Sequence, residues 1–339
     1  QFRATMAEIR KQPYQIKILI GSIMAGITDL KIFTGNAHPG LAADICSYLQ
    51  INLGKCEVFK FSNDQTFVRI RENIREKDVF LVQPITSPVN DHIMELLIMI
   101  DAAKRASAGR ITAVVPYYAY GRSDKKDQPR VPISARLVAN LIETAGANRL
   151  LTVDLHAGQI QGFFNIPVDE LTAVPMLGRY YEERKLSNVV VTATDAGDAK
   201  RARDTASILD SPIAIVEKQR LGNDDNVRAA NLIGDVEGKV ALIIDDEIST
   251  GGTVVATAEA VRDHGAGDIY CSVTHPVFCG NAVEVLYNSE VKEIVVTDTL
   301  PVTASKLDTK MKVLSVAPLL GEAINRIHSG LSVGAMFDK

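Results

Sequence analysis

Short runs of β-branched residues alternate with longer amphipathic stretches along most of the chain. Several of the short runs, such as residues 113–115 (AVV) and 241–244 (ALII), are apolar throughout. Strands of that kind are typical of parallel sheets covered by helices on both sides. The alternation therefore predicts an α/β architecture, in which ligands bind beyond the carboxyl ends of the strands. The predicted strands are Lys31–Phe33, Asp78–Val82, Arg110–Val115, Arg149–Val153, Val189–Val191, Ile213–Val216, Val240–Ile244, Ile269–Thr274 and Glu293–Thr297, and the predicted helices are His38–Leu49, Val89–Ala106, Val131–Ala145, Ala199–Leu209 and Thr253–His264.

The length of 339 residues is enough for about two domains. Hydrophobic residues make up 46% of the chain and charged residues 23%, a globular composition that excludes a disordered chain. Glycines and prolines cluster between residues 156 and 176, with a similar rhythm of strands and helices on either side. We predict an extension at residues 1–30 and two domains, at residues 31–173 and 174–339. The last helix of the second domain is a candidate for packing on the first.

Charge and cysteine content exclude several classes of protein. Lysine and arginine number 37 against 41 acidic residues, so the net charge of −4 provides no basic field for nucleic acid. Four cysteines are too few and too scattered for a disulfide scaffold, and none forms the CxxC spacing of a structural zinc site. They are typical of buried thiols in a reducing compartment.

No apolar run reaches the roughly 18 residues that would span a bilayer. Residues 16–27 come nearest, but Lys17, Gly21 and Gly26 interrupt them, which favours a strand or an ordered extension. The first 30 or so residues carry several basic and few acidic side chains, and this leaves organelle import open. We expect a cytoplasmic protein without a membrane partner.

Residues 240–253 (VALIIDDEISTGGT) carry the strongest chemical signal. A predicted strand is followed by Asp245 and Asp246, then by a turn of small residues and the start of a helix. Glycines let backbone amides turn inward, and a helix N-terminus adds partial positive charge, so this turn is suited to a phosphate. The two acids repel phosphate and would face sugar hydroxyls or a cation. The sequence therefore predicts a ribose 5-phosphate site, the alternative being a helix capped by Ser or Thr.

This segment resembles the phosphoribosyl-diphosphate-binding motif of the type I phosphoribosyltransferase fold. Residues 94–122 and 152–164 resemble the ribose-phosphate diphosphokinase family, and the likeness runs from about Lys31 to Phe337. The resemblance implies two similar phosphoribosyltransferase-like domains, each a mainly parallel sheet flanked by helices. It also implies transfer of the β,γ-diphosphoryl group of ATP to the C1 hydroxyl of ribose 5-phosphate, for nucleotide biosynthesis.

The resemblance also assigns residues to that reaction. Lys218 and Arg220, which alternate beyond a predicted strand, match a catalytic loop whose cations stabilise the transferring group. His156 and Asp195 match ligands of Mg²⁺, and His156 also matches a nucleotide contact. The predicted ribose 5-phosphate residues are Asp195, Asp245, Asp246, Ser249, Thr250, Gly251, Gly252 and Thr253.

The nucleotide side of the site matches two segments of the family. One is a segment with Arg122, Ser123 and Asp124, and the other, supplied by a neighbouring subunit, contains Phe61, Asn63 and Gln65. Three positions depart from the family pattern. Ser123 stands where glutamine is usual, Gln65 replaces a glutamate, and Ser249 stands where aspartate is frequent.

The family implies homo-oligomers, hexamers built from dimers, with phosphate and ADP as effectors. The candidate regulatory residues are Gln161, Ser332 and Phe337, together with residues 125–130. Two alternatives remain. A non-catalytic regulatory homologue is disfavoured by the intact Lys218 and Arg220, and a base phosphoribosyltransferase would need neither the ATP-like segments nor two copies of the fold.

Overall fold

The computed structural model describes residues 29–218, 230–303 and 309–337. In the first half, strands and helices follow one another with an antiparallel hairpin inserted after the first helix. A short 3-10 helix at Gly158–Phe163 precedes the last strand. The elements are β1 (Leu30–Thr34), α1 (Pro39–Leu49), β2 (Cys56–Lys60), β3 (Thr66–Ile70), β4 (Asp78–Val82), α2 (Val89–Arg105), β5 (Arg110–Val115), α3 (Ser134–Ala145), β6 (Arg149–Val153) and β7 (Val168–Leu171).

The second half repeats the alternation and ends in a long amphipathic helix. A further 3-10 helix at Gly334–Met336 follows it. The elements are α4 (Val174–Arg184), β8 (Val189–Ala193), α5 (Ala199–Leu209), β9 (Ile213–Lys218), β10 (Ala230–Ile233), β11 (Val240–Ile248), α6 (Gly252–Asp263), β12 (Ile269–Pro276), α7 (Ala282–Tyr287), β13 (Glu293–Thr297), β14 (Met311–Leu314) and α8 (Ala317–Ser329).

Each half builds its own sheet. The first sheet has five strands in the order β1-β4-β5-β6-β7, all parallel to their neighbours. The second has seven strands in the order β10-β9-β8-β11-β12-β13-β14, and only the β9–β10 pairing in it is antiparallel. The prediction of mainly parallel sheets flanked by helices is confirmed. In the described part of the chain, no helix is long and apolar enough to cross a membrane.

The two halves share an apolar cluster that contains Ile32 and Val114 from the first sheet and Val191 and Leu242 from the second. Helix α8 returns to pack on α1 of the first half. Gly321 permits this close approach, since a Cβ there would overlap a ring carbon of Tyr48. The boundary drawn between residues 173 and 174 stays a prediction, and the shared cluster crosses it.

Polar contacts around Asp154, which follows β6, also join the halves. Its Oδ2 accepts hydrogen bonds from Thr274 Oγ1 at 2.7 Å and from the Ala173 amide at 2.9 Å. The fully buried ring of His275 lies with Nε2 3.0 Å from the Asp154 carbonyl oxygen and Nδ1 2.9 Å from Thr299 Oγ1. These contacts place the carboxyl ends of β6 and β12 side by side.

Two elements differ from the sequence prediction in an informative way. Helix α3 begins at Ser134 rather than at Val131, because Pro132 disfavours helical backbone at the residue before it. Strand β11 runs to Ile248 instead of ending at Ile244, since Glu247 and Ile248 still pair with His275 and Pro276 of β12. The acidic residues therefore belong to the strand itself.

Candidate active site

Three consecutive acids, Asp245, Asp246 and Glu247, occupy the carboxyl end of β11 and are all buried. β11 is paired with β8 on one side and β12 on the other, so these carboxylates lie in the middle of the second sheet. Buried charges are costly unless they are paired or hydrogen-bonded. Each of the three acids has its own partners, and those partners define the site.

Asp245 is held by neighbours from the second half. Its Oδ2 accepts a hydrogen bond from Thr194 Oγ1 at 3.0 Å, and its Oδ1 accepts one from the Asp246 amide at 2.8 Å. Burial and the negative charge of Asp198 raise the pKa of Asp245 well above its usual value. Arg201 balances part of this negative charge, with its Nε 3.2 Å from Asp198 Oδ1.

Asp246 reaches across to the first half of the chain. Its Oδ2 lies 2.7 Å from Nδ1 of His156, which follows β6. This hydrogen bond raises the pKa of His156 above its usual value, although burial acts the other way. Burial would raise the pKa of Asp246, but hydrogen bonds from His156 and Asp245 outweigh it and hold that pKa below its usual range.

Asp198, Asp245 and Asp246 each offer a carboxylate oxygen within 4.8 Å of the others. Among the described residues this is the one trio of metal-ligating side chains found so close together. Oxygen donors are what Mg²⁺ prefers, so the donor set fits that ion. His156 and Asp195, the predicted metal ligands, are not members of the trio, and their role as ligands stays a prediction.

The predicted phosphate turn follows β11 directly. Gly251 has φ +83°, a left-handed conformation, and helix α6 begins at Gly252 with no side-chain hydrogen bond to cap it. Thr250, Gly252 and Thr253 are exposed. The first amides of an α-helix have no partner within the helix, so this open turn can donate to an anion.

The second turn, at residues 195–198, differs because its amides already have an acceptor. Asp195 Oδ1 accepts hydrogen bonds from the amides of Gly197 at 2.7 Å and Asp198 at 3.2 Å. An anion at this turn would compete with the Asp195 carboxylate. Of the two turns, the one before α6 is therefore better suited to phosphate.

Of Arg122, Ser123 and Asp124, which are predicted to bind the nucleotide, Arg122 contacts the acidic strand and the other two contact residues of the first half. Arg122 forms an ion pair with Glu247, with 2.6 Å between Nε and Oε1. Ser123 contacts the start of α3, because its hydroxyl oxygen accepts a hydrogen bond from the Ser134 amide at 3.3 Å. Asp124 Oδ2 accepts a hydrogen bond from Gln159 Nε2 at 2.6 Å.

Phe61, Asn63 and Gln65 lie at the turn between β2 and β3. The Phe61 amide donates to the Gln65 carbonyl oxygen at 2.9 Å, and Asn63 Oδ1 accepts from the Gln65 amide at 3.3 Å. Phe61 is 47% exposed, although its ring packs edge-on against Phe59 and Phe67. None of the contacts described for these three residues reaches the acidic strand.

The remaining predicted residues are dispersed. Lys218 is the last residue of β9, and Arg220 lies outside the described residues, as do residues 1–28 of the predicted extension. Gln161 donates a hydrogen bond to Glu170. Ser332 and Phe337 follow α8, and Phe337 packs on the apolar cluster that both halves share.

Several residues of the site were not predicted from the sequence. Thr194 and Asp198 lie beside Asp245, Arg201 pairs with Asp198, and Glu247 pairs with Arg122. Asp198 lies three positions after Asp195, a predicted site residue, and Glu247 directly follows Asp245 and Asp246. That proximity was the only signal that could have identified them.

The fold and the site define an α/β protein of two mainly parallel sheets, with a buried acidic strand end beside an open helix N-terminus. Residues 30–146 match the N-terminal domain of ribose phosphate pyrophosphokinase, and residues 225–338 match the phosphoribosyl synthetase-associated domain. The ribose-phosphate pyrophosphokinase of Oceanobacillus iheyensis is 50% identical over 311 residues, 92% of this chain and 98% of the relative. That of Bacillus subtilis is 47% identical over 312 residues, again 92% and 98%.

A solved structure agrees with these relatives. The crystal structure of phosphoribosylpyrophosphate synthetase from Mycobacterium smegmatis shares 41% identity and superposes with a TM-score of 0.85, covering 89% of this chain and 99% of that one. The chain belongs to the ribose-phosphate pyrophosphokinase family and is an enzyme. The resemblance seen in the sequence is confirmed.

Proposed function

We propose that the enzyme transfers the β,γ-diphosphoryl group of ATP to the C1 hydroxyl of ribose 5-phosphate. The hydroxyl oxygen forms a bond to the β-phosphorus of ATP while the bond from that phosphorus to the α–β bridging oxygen breaks. AMP leaves, the hydroxyl proton is released, and phosphoribosyl pyrophosphate remains. The product would feed nucleotide biosynthesis.

The observation that carries this proposal is that two residues predicted to bind the nucleotide contact the acidic end of β11. His156 and Arg122, which we assign to the nucleotide, contact Asp246 and Glu247 of the strand that leads into the phosphate turn. A nucleotide bound by these two residues and a sugar phosphate bound at that turn would be adjacent. Phosphoryl transfer depends mainly on such positioning and on neutralising charge, rather than on covalent catalysis.

Each part of the site has a distinct task in this scheme. The turn at residues 249–253 binds the 5-phosphate through its amides and hydroxyls, while Asp245 and Asp246 accept hydrogen bonds from the ribose. Arg122 binds the nucleotide. Lys218 and Arg220 neutralise the charge that develops on the transferring group.

Mg²⁺ is the cofactor we propose. Asp198, Asp245 and Asp246 would supply oxygen ligands, and His156 and Asp195 remain the candidates that the family resemblance indicates. When bound, Mg²⁺ supplies positive charge that offsets the negative charge of the phosphates.

We further propose a homo-oligomer, a hexamer built from dimers, in which the hairpin of one subunit completes the nucleotide site of another. The exposure of Phe61 supports this arrangement. Phosphate and ADP are the proposed effectors. The four cysteines are free, which fits the proposed cytoplasmic location because thiols stay reduced there.

The deciding experiment measures AMP formed from ATP with Mg²⁺, in the presence and absence of ribose 5-phosphate. AMP that depends on the sugar supports the proposal. A folded protein that releases no AMP would contradict it and favour a regulatory role. Consumption of a nucleobase in place of ATP would instead identify a base phosphoribosyltransferase.

A further inference from the structure

Glu247 is a buried carboxylate whose two oxygens are both occupied by residues of the other half of the chain. Oε1 lies 2.6 Å from Nε of Arg122, and Oε2 accepts a hydrogen bond from Tyr117 Oη at 3.0 Å. Burial and the charge of Glu247 raise the pKa of Tyr117, so its hydroxyl stays protonated and keeps donating. The carboxylate is therefore fixed from two sides.

The residues that the structure describes fix the Arg122 side chain at Nε but not at its two terminal nitrogens. Its side chain is 60% exposed, and within the described ranges Nε of its guanidinium is the atom with a partner. The two terminal nitrogens are left to bind an anion, and a guanidinium suits phosphate oxygens because it can donate through two parallel N–H groups. A long exposed arginine loses much rotamer entropy when a ligand fixes it, unless it is already held in place.

We propose that Glu247 is a positioning residue that holds Arg122 in the orientation that binds ATP. The inference rests on the proposed function, in which Arg122 contacts the nucleotide. Glu247 also connects the two proposed substrate sites. It contacts Arg122 on the nucleotide side, and it follows Asp246 on the strand that leads into the proposed phosphate turn. Two consecutive acids then hold two nucleotide-side residues, Asp246 holding His156 and Glu247 holding Arg122.

The test compares Glu247→Ala, Arg122→Ala and the double variant. Direct ATP binding by calorimetry, without ribose 5-phosphate, is measured beside the KM values for both substrates. We expect Glu247→Ala to weaken ATP binding about tenfold, as loss of one charge-assisted contact would, while the KM for ribose 5-phosphate changes less than about twofold. In the Arg122→Ala background the Glu247 substitution should have no further effect on ATP.

Two further variants separate positioning from folding. Tyr117→Phe removes one of the two contacts to Glu247 and should weaken ATP binding less than Glu247→Ala does. Glu247→Gln keeps the shape of the side chain and serves if Glu247→Ala fails to fold. The loss of charge should weaken ATP binding in Glu247→Gln as well.

The outcomes distinguish this inference from the proposed function. If Arg122→Ala leaves ATP binding unchanged, the nucleotide role of Arg122 is wrong. If Arg122→Ala weakens ATP binding but Glu247→Ala and Glu247→Gln do not, the positioning role is overturned while the proposed function stands. Additive effects in the double variant, or equal losses for both substrates, would overturn it too.

Discussion

His156 and Asp246 are separated by 90 positions in the sequence, yet His156 Nδ1 lies 2.7 Å from Asp246 Oδ2. One residue follows β6 of the first sheet, and the other lies at the carboxyl end of β11 of the second. The hydrogen bond raises the pKa of the histidine and lowers that of the acid. Each residue therefore favours the charged form of the other.

Replacing Asp246 by Asn should return His156 to a lower pKa. The contact with Asp246 is the largest influence on His156, and burial, which remains, lowers the pKa of an imidazole. We expect the NMR titration of His156 to shift to lower pH in Asp246→Asn. Asp195→Asn, which changes another predicted site acid, is the matched control. An unchanged titration in Asp246→Asn would contradict the contact.

Gly251 and Gly252 allow a paired test of the phosphate turn. A Cβ at Gly251 would lie 3.1 Å from Leu286 Cγ, and its φ of +83° strains any other residue, so Gly251→Ala should cost about 1–3 kcal/mol of stability. The nearest neighbouring atom to a Cβ at Gly252 would be Thr250 Oγ1 at 3.8 Å, an ordinary van der Waals distance. Chemical denaturation should therefore find Gly252→Ala close to the wild type. Equal losses in the two variants would show that the turn is not constrained in this way.

The strands and helices that could be predicted are those with a clear local pattern of apolar residues. Each predicted strand and helix is present, because runs such as residues 241–244 are apolar on both faces and helix α5 carries its apolar stripe at helical spacing. Shorter or edge elements, such as β7, β10 and β14, have only four residues each. A pattern that short does not distinguish a strand from a loop.

The sequence predicts the parts of the site that are contiguous in the chain, but not the contacts between residues far apart in the sequence. Asp245, Asp246 and the glycine turn are contiguous, so their chemistry was visible in one segment. The contacts of Asp246 with His156 and of Glu247 with Arg122 depend on how two sheets meet. The extent of β11 could not be predicted either, because two consecutive acids normally indicate the end of a buried strand. Here Thr194 of the same half stabilises Asp245 within the strand, and His156 of the other half stabilises Asp246.

Phe61 should act in a neighbouring subunit's site. Phe61→Ala and Lys218→Ala subunits are each expected to be nearly inactive, but a mixture combines an intact Lys218 with an intact Phe61 from the neighbour. Random mixing should restore about a quarter of wild-type activity if sites are shared between subunits. Phe59→Ala, whose ring lies 5.3 Å from Phe61, is the control for general damage to the hairpin. A mixture no more active than its components would place Phe61 elsewhere.

Lys218→Ala and Arg220→Ala should each lower turnover by orders of magnitude while substrate affinity changes far less. Charge on the transferring group develops in the transition state, and cations that act there affect kcat more than binding. Glu217→Ala, at the exposed neighbouring position of β9, is the matched control. Steady-state kinetics with both substrates measures the difference. Near-normal turnover in both variants would remove these residues from the mechanism.

His275 should make the folded protein less stable in mild acid. Burial lowers its pKa in the folded state, so at pH values below about 6.5 the unfolded chain binds a proton that the folded one does not. Stability then falls as pH drops from about 6.5 towards the folded pKa, by at most about 1.4 kcal/mol per pH unit for this one group. The decrease stops once the pH is below the folded pKa.

Denaturant unfolding at a series of pH values between 5 and 7 measures this slope. His275→Gln should be less stable overall, because contacts with Asp154 and Thr299 are changed, but its stability should depend less on pH in that range. His264→Gln, at an exposed position directly after α6, is the matched control and should keep the wild-type slope. If His275→Gln loses stability with the same slope as the wild type, another group takes up the proton, and the buried imidazole between the two halves is not responsible for the acid sensitivity.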